Sequence, residues 1–182
     1  MYKVIKVLES IKNVINIGII GDIGVGKTCI FETLSSPTFH PFFPSRKDIK
    51  IYLNNDKDLN VSLYDIHFTY ENEIFHFLKY LHGGIIVFDV TSKRSFVHVS
   101  HWLRQIKEIK PNFFVIIFGN KADIDKSEWK VTNEEINKFI EEKKLIYYEV
   151  SAKTKKNINK GIYYIANEIY EKEYITIKPK KK

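Results

Sequence analysis

The sequence predicts an α/β fold in which a mostly parallel sheet lies between two layers of helices. Short apolar runs, typical of buried parallel strands, alternate along the chain with segments of helical periodicity. One further segment alternates apolar and polar residues, which is typical of an antiparallel hairpin with one wet face. Ligands of such folds bind beyond the carboxyl ends of the strands, so candidate functional residues are sought there.

Four apolar runs are predicted to form the parallel strands, because each is short and apolar on both faces. They are residues 14–20, 84–90, 113–119 and 145–150. The hairpin is predicted between residues 49 and 65, where apolar residues alternate around the turn-prone Asn54-Asn55-Asp56. Residues 35–47 contain three prolines and no periodicity, which predicts a loop.

Apolar residues recur at spacings of three and four between the strands, which predicts amphipathic helices. One such face comprises Phe96, Val99, Leu103 and Ile106, and another comprises Ile158, Ile162, Ile165 and Ile169. Thr132 and Glu135 predict a capping box that begins a third helix, and residues 29–34 are predicted to be helical as well. The first dozen residues fit either a short helix or a loose extension.

Length and composition predict a single domain. A chain of 182 residues with 44% apolar content can bury one good core, which excludes wholesale disorder. No apolar run approaches the roughly 20 residues of a membrane-spanning helix. We predict an N-terminal extension over 1–13, a domain over 14–175 and a basic, disordered tail over 176–182.

The net charge of +7 is a weak sign of a nucleic-acid partner. Four of the 29 basic residues lie in the last five positions, so the remainder carries only +3. We therefore predict no nucleic-acid binding. Cys29 is the single cysteine, which excludes an intramolecular disulfide and favours a reducing compartment.

A phosphate-binding loop is predicted where the first strand ends. The stretch Gly21-Asp22-Ile23-Gly24-Val25-Gly26-Lys27-Thr28 has the GxxxxGK[ST] pattern between a strand and a helix. Glycines let successive backbone N–H groups point inward around a phosphate chain, and the helix presents its positive end to the same anion. Lys27 is the predicted partner of the β- and γ-phosphates, and the Thr28 hydroxyl is a predicted Mg²⁺ ligand.

A guanine pocket is predicted from two motifs, each of which follows a buried strand. In Asn120-Lys121-Ala122-Asp123 the carboxylate can accept both the N1–H and the N2 amino hydrogens of guanine, a donor pair that adenine lacks. Asn120 is expected to tie the loop together and the Lys121 stem to cover the base. In Ser151-Ala152-Lys153 the backbone N–H groups are expected to meet the guanine carbonyl.

With these motifs the sequence resembles the Ras superfamily of small GTPases, and within it most closely the Rab family. The matching segments are GDIGVGKTC at 21–29, FDVTSKRSF at 88–96, Val99 with Trp102-Leu103, GNKAD at 119–123 and SAK at 151–153. The resemblance covers roughly residues 14–170 and adds Cys29 to the nucleotide-binding set. It implies the three-layer P-loop NTPase fold with six strands and about five helices, bound GTP or GDP with Mg²⁺, and partners in membrane traffic.

The segments that sense the γ-phosphate depart from the family pattern. Asp65 matches the aspartate that holds Mg²⁺ through water, but Phe68 and Thr69 stand where the family has glycine and the water-orienting glutamine. His67 and Thr69 are therefore only weak candidate catalytic residues, His67 because it can accept a proton near neutral pH. The first switch threonine has no clear counterpart, and Thr38 and Ser45 are the nearest hydroxyls.

Ile23 is a further departure, because related GTPases have a small residue there that leaves room beside the γ-phosphate. The sequence therefore predicts an atypical Rab-like GTPase of vesicle traffic that binds guanine nucleotide and hydrolyses GTP slowly. A non-cycling, nucleotide-bound scaffold is the alternative, and a nucleotide kinase or ATPase would have no use for Asp123. We expect a cytoplasmic protein, peripheral at most to internal membranes, with protein effectors and without a lipid-carrying terminal cysteine.

Overall fold

A computed structural model of the chain describes residues 14–34, 45–53, 57–66 and 77–175. Within them six strands form one sheet in the order β2-β3-β1-β4-β5-β6. The strands are β1 (Val14–Ile20), β2 (Ser45–Leu53), β3 (Lys57–Asp65), β4 (Gly83–Asp89), β5 (Phe114–Asn120) and β6 (Ile146–Glu149). Only β2 and β3 pair antiparallel. The predicted parallel sheet and its hairpin are therefore confirmed.

Four α-helices lie within the described residues, where the sequence predicts about five over the whole chain. They are α1 (Lys27–Thr33), α2 (Lys93–Ile109), α3 (Asn133–Lys143) and α4 (Ile158–Tyr170). A 3₁₀ turn lies between β5 and α3 at Lys126–Glu128, and a π-helical turn follows α4 at Glu171–Ile175. The predicted capping box is confirmed: Glu135 N donates to Thr132 Oγ1, and Thr132 N donates to Glu135 Oε2.

The core lies in two layers, one on each face of the sheet, because residues of the parallel strands point alternately to both sides. On one face β1 packs against α1 and α4 through Ile17, Ile30 and Ile162. On the other face Ile86 and Ile117 pack with α2 and α3. Burying one such side chain stabilises the fold by roughly 1.5–3 kcal/mol, so the predicted apolar faces are what hold the helices on the sheet.

The prediction of a loop over residues 35–47 is wrong for its last three residues. Ser45, Arg46 and Lys47 open strand β2 and pair with residues 63–65 of β3. The start of β2 is not recognisable in the sequence because Lys47, a charged residue, lies on the buried face of the strand. Its ammonium donates to the Phe31 carbonyl at 2.9 Å and lies 3.1 Å from Glu32 Oε2, which compensates the burial.

The predictions for the N-terminal extension, the prolines of 35–44, the hairpin turn at 54–56 and the basic tail lie outside the described residues. In the ranges that the structure does describe, no helix is long and apolar enough to span a membrane.

Candidate nucleotide site

The predicted phosphate-binding loop is a tight turn from β1 into α1, and two glycines make it possible. Gly21 has φ +145°, and a Cβ at this position would lie 2.3 Å from the carbonyl oxygen of Val87 in β4. Gly26 has φ +94° and stands directly before α1 in the left-handed region. A larger residue at either place would be strained and would push the loop away from the sheet.

Lys27 is buried, with its ammonium held inside the loop. It donates hydrogen bonds to the carbonyl oxygens of Gly21 and Asp22, both at 2.8 Å. Burial lowers the pKa of Lys27, while the carboxylates of Asp65 and Asp22 partly offset that effect. The charge therefore lies at the centre of the loop, where an incoming phosphate chain would replace backbone carbonyls as its partner.

Thr28 and Asp65, the two predicted metal ligands, are in direct contact. The Thr28 hydroxyl donates to Asp65 Oδ2 at 2.7 Å, which joins the start of α1 to the end of β3. A hydroxyl and a carboxylate suit Mg²⁺, which prefers oxygen ligands and keeps several waters or phosphate oxygens. No cluster of three or more His, Cys, Asp or Glu that could hold a metal occurs in the described ranges.

Asn120 joins the phosphate loop to the predicted base pocket. It is 1% exposed, and its Nδ2 donates to the Val25 carbonyl at 2.9 Å. Its Oδ1 accepts from the backbone N–H of Ala152 at 3.0 Å. One side chain therefore joins three separate segments at the carboxyl edge of the sheet, and the part of Asn120 in nucleotide binding stays a prediction.

The side chain of Asp123 is 17% exposed and is oriented by its neighbour Ser151. Ser151 donates to Asp123 Oδ1 at 2.6 Å, and Lys153 Nζ lies 3.9 Å from Oδ2. The hydrogen bond from Ser151 is the main cause that lowers the pKa of Asp123. An ionised carboxylate is what the predicted recognition of two guanine N–H donors needs.

The backbone N–H groups of residues 151–153, predicted to meet the guanine carbonyl, have different partners within the chain. The N–H of Ala152 donates to Asn120, and the N–H of Ser151 donates to the carbonyl of Lys156 at 3.3 Å. The N–H of Lys153 makes no hydrogen bond within the part of the chain that the structure describes. Which of these N–H groups meets a guanine carbonyl stays a prediction.

A comparison with protein families now bears on the identity. A family model described as the Ras family matches residues 16–171, most of the chain and the whole of this site. The chain belongs to the Ras family. It is a small GTP-binding protein, since members of this family bind guanine nucleotides, usually with Mg²⁺.

In this Ras family member, the sequence analysis missed three residues that make contacts near the phosphate loop, namely His98, Trp102 and Asp89. Asp22 accepts from Trp102 Nε1 at 2.9 Å, and its other oxygen lies 2.8 Å from His98 Nδ1. Likewise Lys121, predicted to cover the base, places its ammonium 2.5 Å from Asp89 Oδ2. The sequence signal that could have revealed the contact of Lys121 is Asp89 at the end of β4, because a carboxylate at the carboxyl end of a strand faces this site.

Some of the remaining predicted site residues lie within the described residues and others lie outside them. Ile23, Gly24 and Cys29 are exposed on the loop and on α1. His67 and Thr69 lie outside the described residues, as do Phe68 and Thr38. Ser45 is described, and it stands opposite Asp65 in the pairing of β2 with β3. The individual roles in binding and catalysis stay predictions.

Proposed function

We propose that this Ras family member is a Rab-like GTP/GDP switch of intracellular vesicle traffic that hydrolyses GTP slowly. The Rab-like assignment is supported by the sequence segments that match this family, among them FDVTSKRSF at 88–96 and Val99 with Trp102-Leu103. Its setting would be the cytoplasm, with peripheral attachment to internal membranes and with protein effectors or trafficking regulators as partners.

Slow hydrolysis is carried by one observation, the side chain of Ile23. It is 93% exposed on the rim of the phosphate loop, so a branched apolar group projects where the related GTPases leave space. Such a group crowds the place of an attacking water and of a partner's arginine. An arginine finger contributes about 10³–10⁵ in rate, so its exclusion would decide the turnover.

The nucleotide-binding motifs, by contrast, match the family pattern in the sequence. The residues that would bind nucleotide are those of the loop 21–28 with Asn120, Lys121, Asp123 and 151–153. Thr28 and Asp65 would hold Mg²⁺, which when bound neutralises charge on the phosphates. Lys27 binds and orients the phosphate chain, and Asp123 selects the base.

The test is to identify the nucleotide that copurifies with the protein and then to follow single-turnover GTP cleavage over hours. We expect guanine nucleotide, cleavage far slower than in a cycling GTPase, and faster cleavage in Ile23→Gly. Lys27→Ala serves as the matched variant without the phosphate-binding ammonium. Wild-type protein that captures no guanine nucleotide, like Lys27→Ala, would end the proposal.

A non-cycling, nucleotide-bound scaffold is the second candidate, and the same exposed Ile23 favours it together with Phe68 and Thr69 in the sequence. The two functions differ in one measurable property. A switch binds its partner with very different affinities in the GDP and GTP states, whereas a scaffold binds equally in both. Partner affinity measured with GDP and with a non-hydrolysable GTP analogue therefore separates them.

A further inference from the structure

A cleft of about 820 Å³ lies between the phosphate loop and the first turns of α2. Its loop side includes Ile23, Gly24 and Lys27, and its helix side includes Arg94 and His98. The phosphate loop therefore shares this cleft with α2.

The charged groups of this cleft are nearly all engaged with neighbours. Asp22 is contacted by His98 and Trp102, and Asp89 lies 2.5 Å from Lys121 Nζ. Asp89 Oδ1 also accepts from the backbone and hydroxyl of Thr91, at 2.8 and 2.7 Å. Because these contacts already compensate both carboxylates, neither of them requires a further cation from the helix.

Arg94 is the exception. Its side chain is exposed to the cleft, and it takes part in no hydrogen bond or ion pair among the described residues. A guanidinium presents a planar fork of donors that matches the oxygens of a phosphate group, and it stays charged at any physiological pH. A bound nucleotide would bring several negative charges to the phosphate loop, which forms one side of this cleft and holds the buried ammonium of Lys27.

We propose that Arg94 is a further nucleotide-binding residue, whose guanidinium contacts the phosphate chain from the α2 side of the loop. The proposal rests on guanine-nucleotide binding at this loop. It assigns to the protein's own helix a positive charge opposite Lys27. In this arrangement the helix wall contributes to nucleotide affinity and to the distinction between two and three phosphates.

The test compares Arg94→Gln, Arg94→Lys and wild type for the affinity of GDP and of a non-hydrolysable GTP analogue. A charge-assisted contact of this kind predicts about tenfold weaker binding of the analogue by Arg94→Gln. The loss should be smaller for GDP, and Arg94→Lys should recover part of it. Arg104→Gln is the matched control, since Arg104 is exposed on the same helix and does not line the cleft.

Salt separates a phosphate contact from a structural effect. Between about 0.05 M and about 0.5 M salt, screening should shrink the difference between wild type and Arg94→Gln. Equal affinities of the two proteins for both nucleotides would overturn the proposal, and so would a loss that does not change with salt. Either result leaves nucleotide binding by wild type intact, whereas wild type without any guanine nucleotide would remove the proposed function as well.

Discussion

The amide of Asn120 and the carbonyl of Val25 are joined by a hydrogen bond of 2.9 Å across 95 residues of sequence. The bond fixes the phosphate loop to the end of β5, and through Ala152 to the loop after β6. We therefore expect phosphate binding and base binding to depend on this one buried side chain. A change at this position is expected to weaken both.

Replacing Asn120 by alanine leaves the Val25 carbonyl and the Ala152 N–H without their partner. An unsatisfied buried group costs about 1–3 kcal/mol, so we expect a lower free energy of unfolding and at least about tenfold weaker GDP binding. Urea unfolding and titration with labelled GDP measure the two effects. Asn137→Ala, on the exposed surface of α3, is the control, and equal GDP affinities of the two variants would contradict the bridging role.

Two glycines of the loop offer a matched pair of substitutions. Gly24 and Gly26 have φ of +81° and +94°, so alanine at either position pays a similar backbone strain, about 1–2 kcal/mol. Only at position 26 would the new Cβ meet another group, Asn120 Nδ2 at 2.3 Å, whereas nothing lies within 4 Å at position 24. Gly26→Ala should therefore lower the free energy of unfolding and the GDP affinity clearly more than Gly24→Ala. If Gly26→Ala and Gly24→Ala have equal free energies of unfolding and equal GDP affinities, the side chain of Asn120 does not lie close to position 26.

The sheet and the two nucleotide motifs were predictable because each depends on local information. Buried parallel strands are recognised in a sequence as apolar runs. The loop 21–28 needs glycine and lysine at fixed spacing next to such a strand. The start of β2 was not predictable, since Lys47 breaks the apolar alternation. Its ammonium is compensated by the Phe31 carbonyl, a contact that no local pattern encodes.

The contacts of Asp22 escaped prediction for a related reason. His98 and Trp102 lie 76 and 80 residues further along the chain, on one face of α2. Which face of a helix meets a given loop is set by packing on the sheet, and the period of the helix does not reveal the partner. The same applies to Arg94, which stands in the polar first turn of α2 and resembles an ordinary solvated residue in the sequence.

Asp123 is expected to determine which base is bound. In Asp123→Asn one acceptor oxygen becomes an amino donor, which fits the C2 carbonyl of xanthine and opposes the N2 amino group of guanine. We expect at least about a hundredfold loss of GDP affinity and a gain for xanthosine diphosphate. Competition binding with both nucleotides is the measurement. Asp125→Asn is the control, because that side chain accepts from Ser127 at 2.8 Å and makes no contact with Asp123. Unchanged selectivity in Asp123→Asn would rule out the carboxylate as the base reader.

His82 links stability to pH at the opposite end of the sheet. Its Nδ1 accepts from the backbone N–H of Asn16 at 2.9 Å, and its Nε2 lies 3.8 Å from Glu173 Oε2. Burial lowers the pKa of His82 below its ordinary value of 6.5, an effect to which Lys110 adds and which Glu173 opposes.

Because the folded state holds His82 neutral, the unfolded chain takes up this proton first as the pH falls. The free energy of unfolding contributed by His82 is therefore present above about pH 6.5 and is lost below it, as protonation of the unfolded chain becomes favourable. Protonation in the folded state would in addition break the bond from Asn16, since a protonated Nδ1 no longer accepts. Urea unfolding from pH 7.5 to pH 5.5 should show a steeper fall for wild type than for His82→Gln. Asn137→Ala, on the exposed surface of α3, should keep the wild-type slope, and parallel curves for wild type and His82→Gln would exclude His82 as the source.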